Sequence, residues 1–266
     1  MVAYRYDGSF AGFLTCAWDA LEDKIEPVEF LLPGDGPALW ETRELETDEG
    51  RARKLYAGLA RRASAKFRDM VAHAFLTCLP QKELDLLTLI RRGLREGDRV
   101  RQDLSDPVMA RVNLALTKLW TEWDHLKGFV RFSDLDGFLV GEIEPKNRVL
   151  PLLDPHFADR YSGERLVLYD RTNHEIFFSE GGRWKLLPAD DFCMGPAGAQ
   201  ERSFRAMWRK YFQTIAIEGR TNPKCQATHM PKHYRTVMTE FLSDEEMEQS
   251  LPEQTVPTGS LGNGQT

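Results

Sequence analysis

The sequence predicts an α+β protein. It has a helical N-terminal half over residues 1–127, a small, mainly antiparallel sheet over residues 128–188, and basic C-terminal helices over residues 200–242. Three observations carry this reading. Apolar residues recur at helical spacing between Asp48 and Lys127. Two pairs of short apolar runs, 129–132 with 138–143 and 165–170 with 175–178, are joined by turn-forming residues. The stretch from Gln200 to Phe241 is locally basic in a chain of formal charge -6. Residues 1–242 read as a single domain. Residues 243–266 hold acids, Pro, Gly and polar residues without Lys or Arg, and read as a disordered tail.

In order along the chain, Tyr4 to Asp7 is a strand stopped by Asp7-Gly8, and Ser9 caps a helix from Phe10 to Lys24 whose apolar face includes Phe13, Leu14, Ala17 and Leu21. Pro27, Pro33, Gly34, Gly36 and Pro37 make residues 26–48 a loop-rich crossing, with one strand near 39–45. Arg51 to Phe67 carries Arg51, Arg53, Lys54, Arg61, Arg62 and Lys66 and no acid, a run that faces either water or phosphate. Met70 to Leu79 is apolar and stops at Pro80. Leu84, Leu87, Ile90 and Leu94 mark a helix closed by Gly93 and Gly97. Asp106-Pro107 opens a long helix to His125, with Val112, Leu116, Leu119, Trp120 and Trp123 inward. Asp136-Gly137 turns a first hairpin, Leu150 to Tyr161 is helical, and Thr172-Asn173 turns a second hairpin with a further strand at Trp184 to Leu187. A helix from Glu201 to Ile217 follows, then short helical segments after Asn222-Pro223 and Met230-Pro231.

Composition narrows the chemistry. With 266 residues, 42% hydrophobic and 29% charged, the chain can bury a core without disulfides. No apolar run reaches the roughly 18 residues of a membrane span, and no signal-like segment opens the chain, so a cytoplasmic location is expected. Cys16, Cys78, Cys193 and Cys225 are far apart, which argues against a local metal or iron–sulfur site. The phosphate-loop, dinucleotide, serine-elbow, zinc-deaminase and radical-SAM triple-cysteine motifs are absent, so no cofactor and no metal is expected in this chain.

The candidate binding residues lie between Gln200 and Phe241. There Arg202, Arg205, Arg209, Lys210, Arg220, Lys224, Lys232 and Arg235 outnumber Glu201, Glu218 and Glu240, and Trp208, Tyr211, Phe212 and Tyr234 stand among them. Cations neutralise phosphates and flat rings stack on bases. In this reading Arg205, Arg209, Lys210, Arg220 and Lys232 meet phosphates, while Asn222, Gln226 and Tyr234 meet bases or a partner. The alternative is a helix with its aromatics in the core and its cations in water, followed by a loop braced by Asn222 and Gln226. A separate candidate is an acid–base pair of His156 and Asp170, with Arg131 and Arg160 holding phosphate. Its alternative is a structural histidine and a turn-forming aspartate bonded to its own backbone. Three functions stay open: a nucleic-acid-binding or accessory protein, an enzyme acting on a nucleotide or damaged base, and a protein-docking scaffold without DNA contact.

Four stretches carry a resemblance: YDGSFAGFLTCAWDALEDKIEP, HLKGFVRFSDLDGFLVGEIEPKNRVLPLLDPHFADRY, RLVLYDRTNHEIFF and MWRKYFQTIAIEGRTNPKCQATHMPKHYRTVMTEF. In this order they resemble a bacterial family of DNA metabolism and DNA repair proteins whose biochemistry is undefined. The last stretch is close to the family's ending W-K-x-Y-F-x-x-I-x-I-x-x-R-x-N-P-x-x-Q-x-x-x-M-P-x-x-Y-W; Arg235 stands where the family often has Trp. The resemblance implies a role in DNA metabolism beside a radical-SAM protein, and some longer members are fused to a uracil-DNA glycosylase domain. DNA, a radical-SAM protein and a uracil-DNA glycosylase are thus the implied partners, and an iron–sulfur cluster and S-adenosylmethionine would belong to the radical-SAM partner.

Overall fold

The structure is a computed structural model. It describes residues 1–190, 192, 195, 198–215 and 222–241, with the backbone alone for residues 154, 155, 212, 213 and 223. The tail expected over 243–266 lies outside the described residues, as do the last two residues of the helix expected to reach Ile217. The contacts fall into two compact units: Met1–Asp124 with Lys146–Val149, and His125–Pro145 with the described residues from Leu150 onward. Among the described residues no helix is long and apolar enough to cross a membrane.

The first unit begins with β1 (Val2–Arg5), α1 (Phe10–Glu22), β2 (Pro27–Leu31) and β3 (Glu41–Glu44). These strands form a parallel sheet in the order β2-β1-β3. Ser9 caps α1, its Oγ accepting from Gly12 N at 2.9 Å. Helix α1 carries the chain back so that β2 runs parallel to β1. The loop-rich crossing expected over 26–48 therefore holds two strands rather than one. Pro27 is tolerated because it opens its strand, and Phe30 makes an edge contact with Tyr4, ring centroids 5.8 Å apart.

Helices α2 (Glu49–Arg62), α3 (Ala65–Phe75), α4 (Lys82–Glu96), α5 (Arg99–Gln102) and α6 (Pro107–Phe129) follow. Their starts are written in the sequence. Asp48, Ser64 and Asp106 accept from backbone N–H groups of the first turns of α2, α3 and α6. Phe13, Phe67, Leu86, Leu89 and Ile90 are fully buried in the core. Phe67 lies so close to α4 that a Cβ on Gly93 would stand 2.5 Å from its ring, so a larger residue there would push α3 and α4 apart.

A buried carboxylate joins residues 146–149 to this unit. Glu122 of α6 accepts from Lys146 N at 2.8 Å, from Asn147 N at 2.9 Å and from Asn147 Nδ2 at 2.7 Å. Asn147 Oδ1 in turn accepts from Cys78 N, and Arg148 N donates to Leu76 O, both at 2.9 Å.

The second unit holds β4 (Phe132–Leu135), β5 (Phe138–Ile143), α7 (Leu150–Arg160), β6 (Arg165–Asp170), β7 (Glu175–Glu180), β8 (Arg183–Pro188), α8 (Ala199–Thr214), α9 (Pro223–His229) and a 3-10 helix over Lys232–Val237. The strands order as β4-β5-β6-β7-β8. Asp136 and Gly137, with φ of 53° and 83°, make the β4–β5 turn, a left-handed pair that suits Asp-Gly.

The expectation of a mainly antiparallel sheet is corrected on two counts. The first unit's sheet is parallel throughout, and β5 pairs with β6 in parallel within the second. The two hairpins are joined by a helix, and a helical crossover returns a strand in the same direction.

Glu122→Gln would turn an amide N–H toward a backbone donor. It should lower stability to urea by about 1–3 kcal/mol, whereas Glu46→Gln, at an exposed position, should leave the urea midpoint where it is. Equal midpoints for the two variants would refute the role given to Glu122.

Candidate functional site

Helix α8 is held by its first two turns. Glu201 and Arg205 are both buried, form an i,i+4 ion pair at 2.7 Å, and reach β4 together. Glu201 accepts from Asp134 N at 3.1 Å, and Arg205 Nη2 donates to Ser133 Oγ at 2.6 Å. A buried pair of this kind is costly to break from one side, about 3–5 kcal/mol.

With that face fixed, the spacing along α8 decides what meets solvent. Phe204, Met207, Trp208, Tyr211 and Ile215 are exposed and follow one another at i, i+3, i+4, i+7 and i+11, a single stripe. Trp208 and Tyr211 stack on each other with ring centroids 5.7 Å apart at 26°. Each helical residue turns about 100°, so Arg202 and Arg209 fall on the far side of the helix from Tyr211, and exposed Lys210 borders the stripe near Met207. The apparent interleaving of cations and rings is thus resolved into two flanks.

The predicted binding residues separate into two groups. Lys210, Gln226 and Lys232 are exposed, and Arg209 is half-buried. Arg205, expected at phosphate, is instead engaged by Glu201 and Ser133. Tyr234, expected at bases, is buried, with Phe129 and His125 against its ring at centroid distances of 5.2 and 5.6 Å. Asn222 caps α9, its Oδ1 accepting from Cys225 N at 3.0 Å. Arg220 lies outside the described residues.

Arg131 grips the buried carboxylate of Glu240 through Nε and Nη2, at 3.0 and 2.7 Å, and lies 5.9 Å over the Trp208 ring. That grip uses the fork a phosphate would need. Arg160 is exposed, with its guanidinium 5.8 Å over Tyr161. Arg235 lies 4.9 Å over the Phe241 ring, so a flat cation stacks where the resembled family often has an indole.

Of the acid–base candidates, Asp170 is fully buried and serves its own turn. Its Oδ1 accepts from Thr172 N and Asn173 N at 3.0 and 2.9 Å, and its Oδ2 accepts from Asn173 Nδ2 at 2.7 Å. Burial pushes its carboxyl up to about 6, against the pull of those donors. His156 Nε2 is buried without a hydrogen-bond partner, so that nitrogen does not bond Asp170. Burial first, then Lys127 and Arg160, holds the imidazole below its usual range. The stripe of Phe204, Met207 and Ile215 went unread in the sequence, although its spacing was there to find.

These features define a mixed α+β protein with an exposed amphipathic helix near its C-terminus. Residues 80–240 match the DUF4130 family, a domain of unknown function, and the chain belongs to that family. No curated protein matches the sequence.

The raised carboxyl of Asp170 has a definite sign. A group protonated more readily in the folded state stabilises fully below its unfolded value near 3.8, and that contribution is lost as pH rises through about 6. Between pH 4 and pH 7 the unfolding free energy of the wild type should fall relative to Asp170→Asn, by on the order of 3 kcal/mol at most. Parallel pH profiles in urea titrations of the two proteins would contradict this assignment.

Proposed function

We propose that this chain is a nucleic-acid-binding accessory protein of DNA metabolism or repair, with α8 as its contact helix. The observation that carries the reading is the stacked, solvent-exposed pair Trp208 and Tyr211. Exposed stacked rings suit the bases of a single strand, exposed Lys210 borders their stripe, and Lys232 is exposed in the same C-terminal region. The likeness to DNA metabolism and repair proteins supports the same class. In that setting a radical-SAM protein or a uracil-DNA glycosylase is the natural partner, and any iron–sulfur cluster and S-adenosylmethionine would sit on the radical-SAM protein.

A second reading rests on the rest of the stripe. Phe204, Met207 and Ile215 are exposed and offer no hydrogen bonds, which suits a protein partner's groove. An enzyme built on His156 and Asp170 draws no support from the geometry, because Asp170 serves its own turn and His156 Nε2 is unpartnered.

The test is a salt titration of binding to single- and double-stranded DNA. Wild type should prefer the single strand, with affinity falling steeply as salt rises. Trp208→Ala with Tyr211→Ala should cost about 1–3 kcal/mol per lost base contact, and Arg209→Glu with Lys210→Glu should flatten the salt dependence. Absence of binding at low salt would refute DNA contact and leave the protein-docking reading, to be tested by pull-down with the stripe variants.

A further inference from the structure

The first unit has an open surface cleft of about 520 Å3 that the α8 reading does not use. Three segments line it. From α3 come Lys66, Asp69, Met70 and His73, at i, i+3, i+4 and i+7 on one helix face. From α6 come Asn113, Leu116 and Trp120, again on one face. Arg101 of α5 and Leu104 just beyond it complete the wall.

A relay of polar contacts brings the cations together. Ser64 caps α3 by accepting from Phe67 N, and its Oγ donates to Asp98 Oδ1 at 2.5 Å. Asp98 in turn holds Arg101 through Nε and Nη2 at 3.1 and 3.0 Å. That contact leaves Nη1 of the guanidinium outside the fork. The one carboxylate in the wall, Asp69, is engaged by Arg68 at 2.7 Å. Arg61, Arg62 and Lys66 are all exposed. They include the end of the basic run that the sequence left open between water and phosphate.

The remaining wall is apolar and aromatic. Trp120 is held by edge contacts to His73 and Trp123, at centroid distances of 5.0 and 5.6 Å, yet it is 38% exposed. Burial holds His73 below its usual range, so at neutral pH it adds hydrogen-bonding capacity rather than charge.

We propose that this cleft binds a nucleoside phosphate, with the base against Trp120, Met70 and Leu116, the Asn113 amide at the base edge, and the phosphate at exposed Lys66. The cleft is open to solvent, so one face of the base would rest on the wall and the other would meet water. A purely apolar ligand would leave the lysine unused, and a bare phosphate would leave the indole unused. The same chemistry is offered by a free mononucleotide and by one nucleotide of a strand. This inference is independent of α8.

Calorimetry on the full chain would use 5′-deoxyadenosine monophosphate, inorganic phosphate and an eight-residue oligodeoxyadenylate as probes, with Lys66→Glu, Trp120→Leu and Lys210→Glu as variants. Lys66 is exposed, so its charge reversal reads the site even where Trp120→Leu lowers the melting temperature. The expected result is about tenfold weaker binding in both Lys66→Glu and Trp120→Leu. Loss seen with the mononucleotide identifies a free-nucleotide site, and loss confined to the oligonucleotide identifies a strand site. The proposal is overturned by no binding of either nucleotide probe, by binding that neither cleft variant weakens, or by inorganic phosphate binding as tightly as the mononucleotide. Failure of the α8 reading would show separately, as oligonucleotide binding indifferent to Lys210→Glu.

Discussion

Burying a carboxylate without partners is expensive, and this chain buries several. Glu122 is the one on which most depends. Its two oxygens take three N–H groups from residues 146 and 147, and so fix a segment that lies in sequence between β5 and α7. Asn147 passes the constraint on to Cys78, at the end of the α3 region. One acid thereby sets the path of the chain at three places far apart in sequence. Asp170, Glu201 and Glu240 obey the same rule in the second unit, each meeting backbone N–H groups, amides or guanidinium forks.

This rule also decides which residues are left to meet a ligand. A cation on a helix can neutralise a phosphate only if no internal acid holds it. Arg131 and Arg205 are held by Glu240 and Glu201, which turns α8 so that its aromatic stripe faces water. The N-terminal unit divides its charges differently. There Asp98 and Asp69 are the acids already matched, by Arg101 and Arg68, while Lys66 stands exposed at a cleft wall that includes an indole. With those acids matched, the exposed lysine is the cation that the phosphate of the proposed ligand would meet.

Local signals in the sequence were reliable where the physics is local. Ser9, the Asp136-Gly137 turn and the helical spacing of Leu84, Leu87, Ile90 and Leu94 are read within a turn or two of backbone. The alternative reading of Asp170, a side chain bonded to its own turn, is the one the geometry shows. What was not legible depends on partners far along the chain. Strand β2 exists because β1 pairs with it, and the parallel register of β5 with β6 follows from a crossover. Arg131 looks like a phosphate ligand until Glu240, more than a hundred residues later, is placed against it. Tyr234 looked like a stacking residue in a basic segment, and only its contacts with His125 and Phe129 make it core. Charge and aromatic content are visible in a string of letters, but whether they are free to act is a property of the fold.

The interleaving of the two units along the chain bears on how such a protein can be inherited or recombined. The first unit takes residues 146–149 from between two stretches of the second. A fragment ending at residue 124 would carry Glu122 without Lys146 and Asn147, and a fragment starting at residue 125 would carry those two residues without their acceptor. A single crossover near this point, joining halves from two diverged genes, would have to preserve a carboxylate on one side and an asparagine on the other. A cut at residue 124 therefore parts one buried acceptor from all three of its donors.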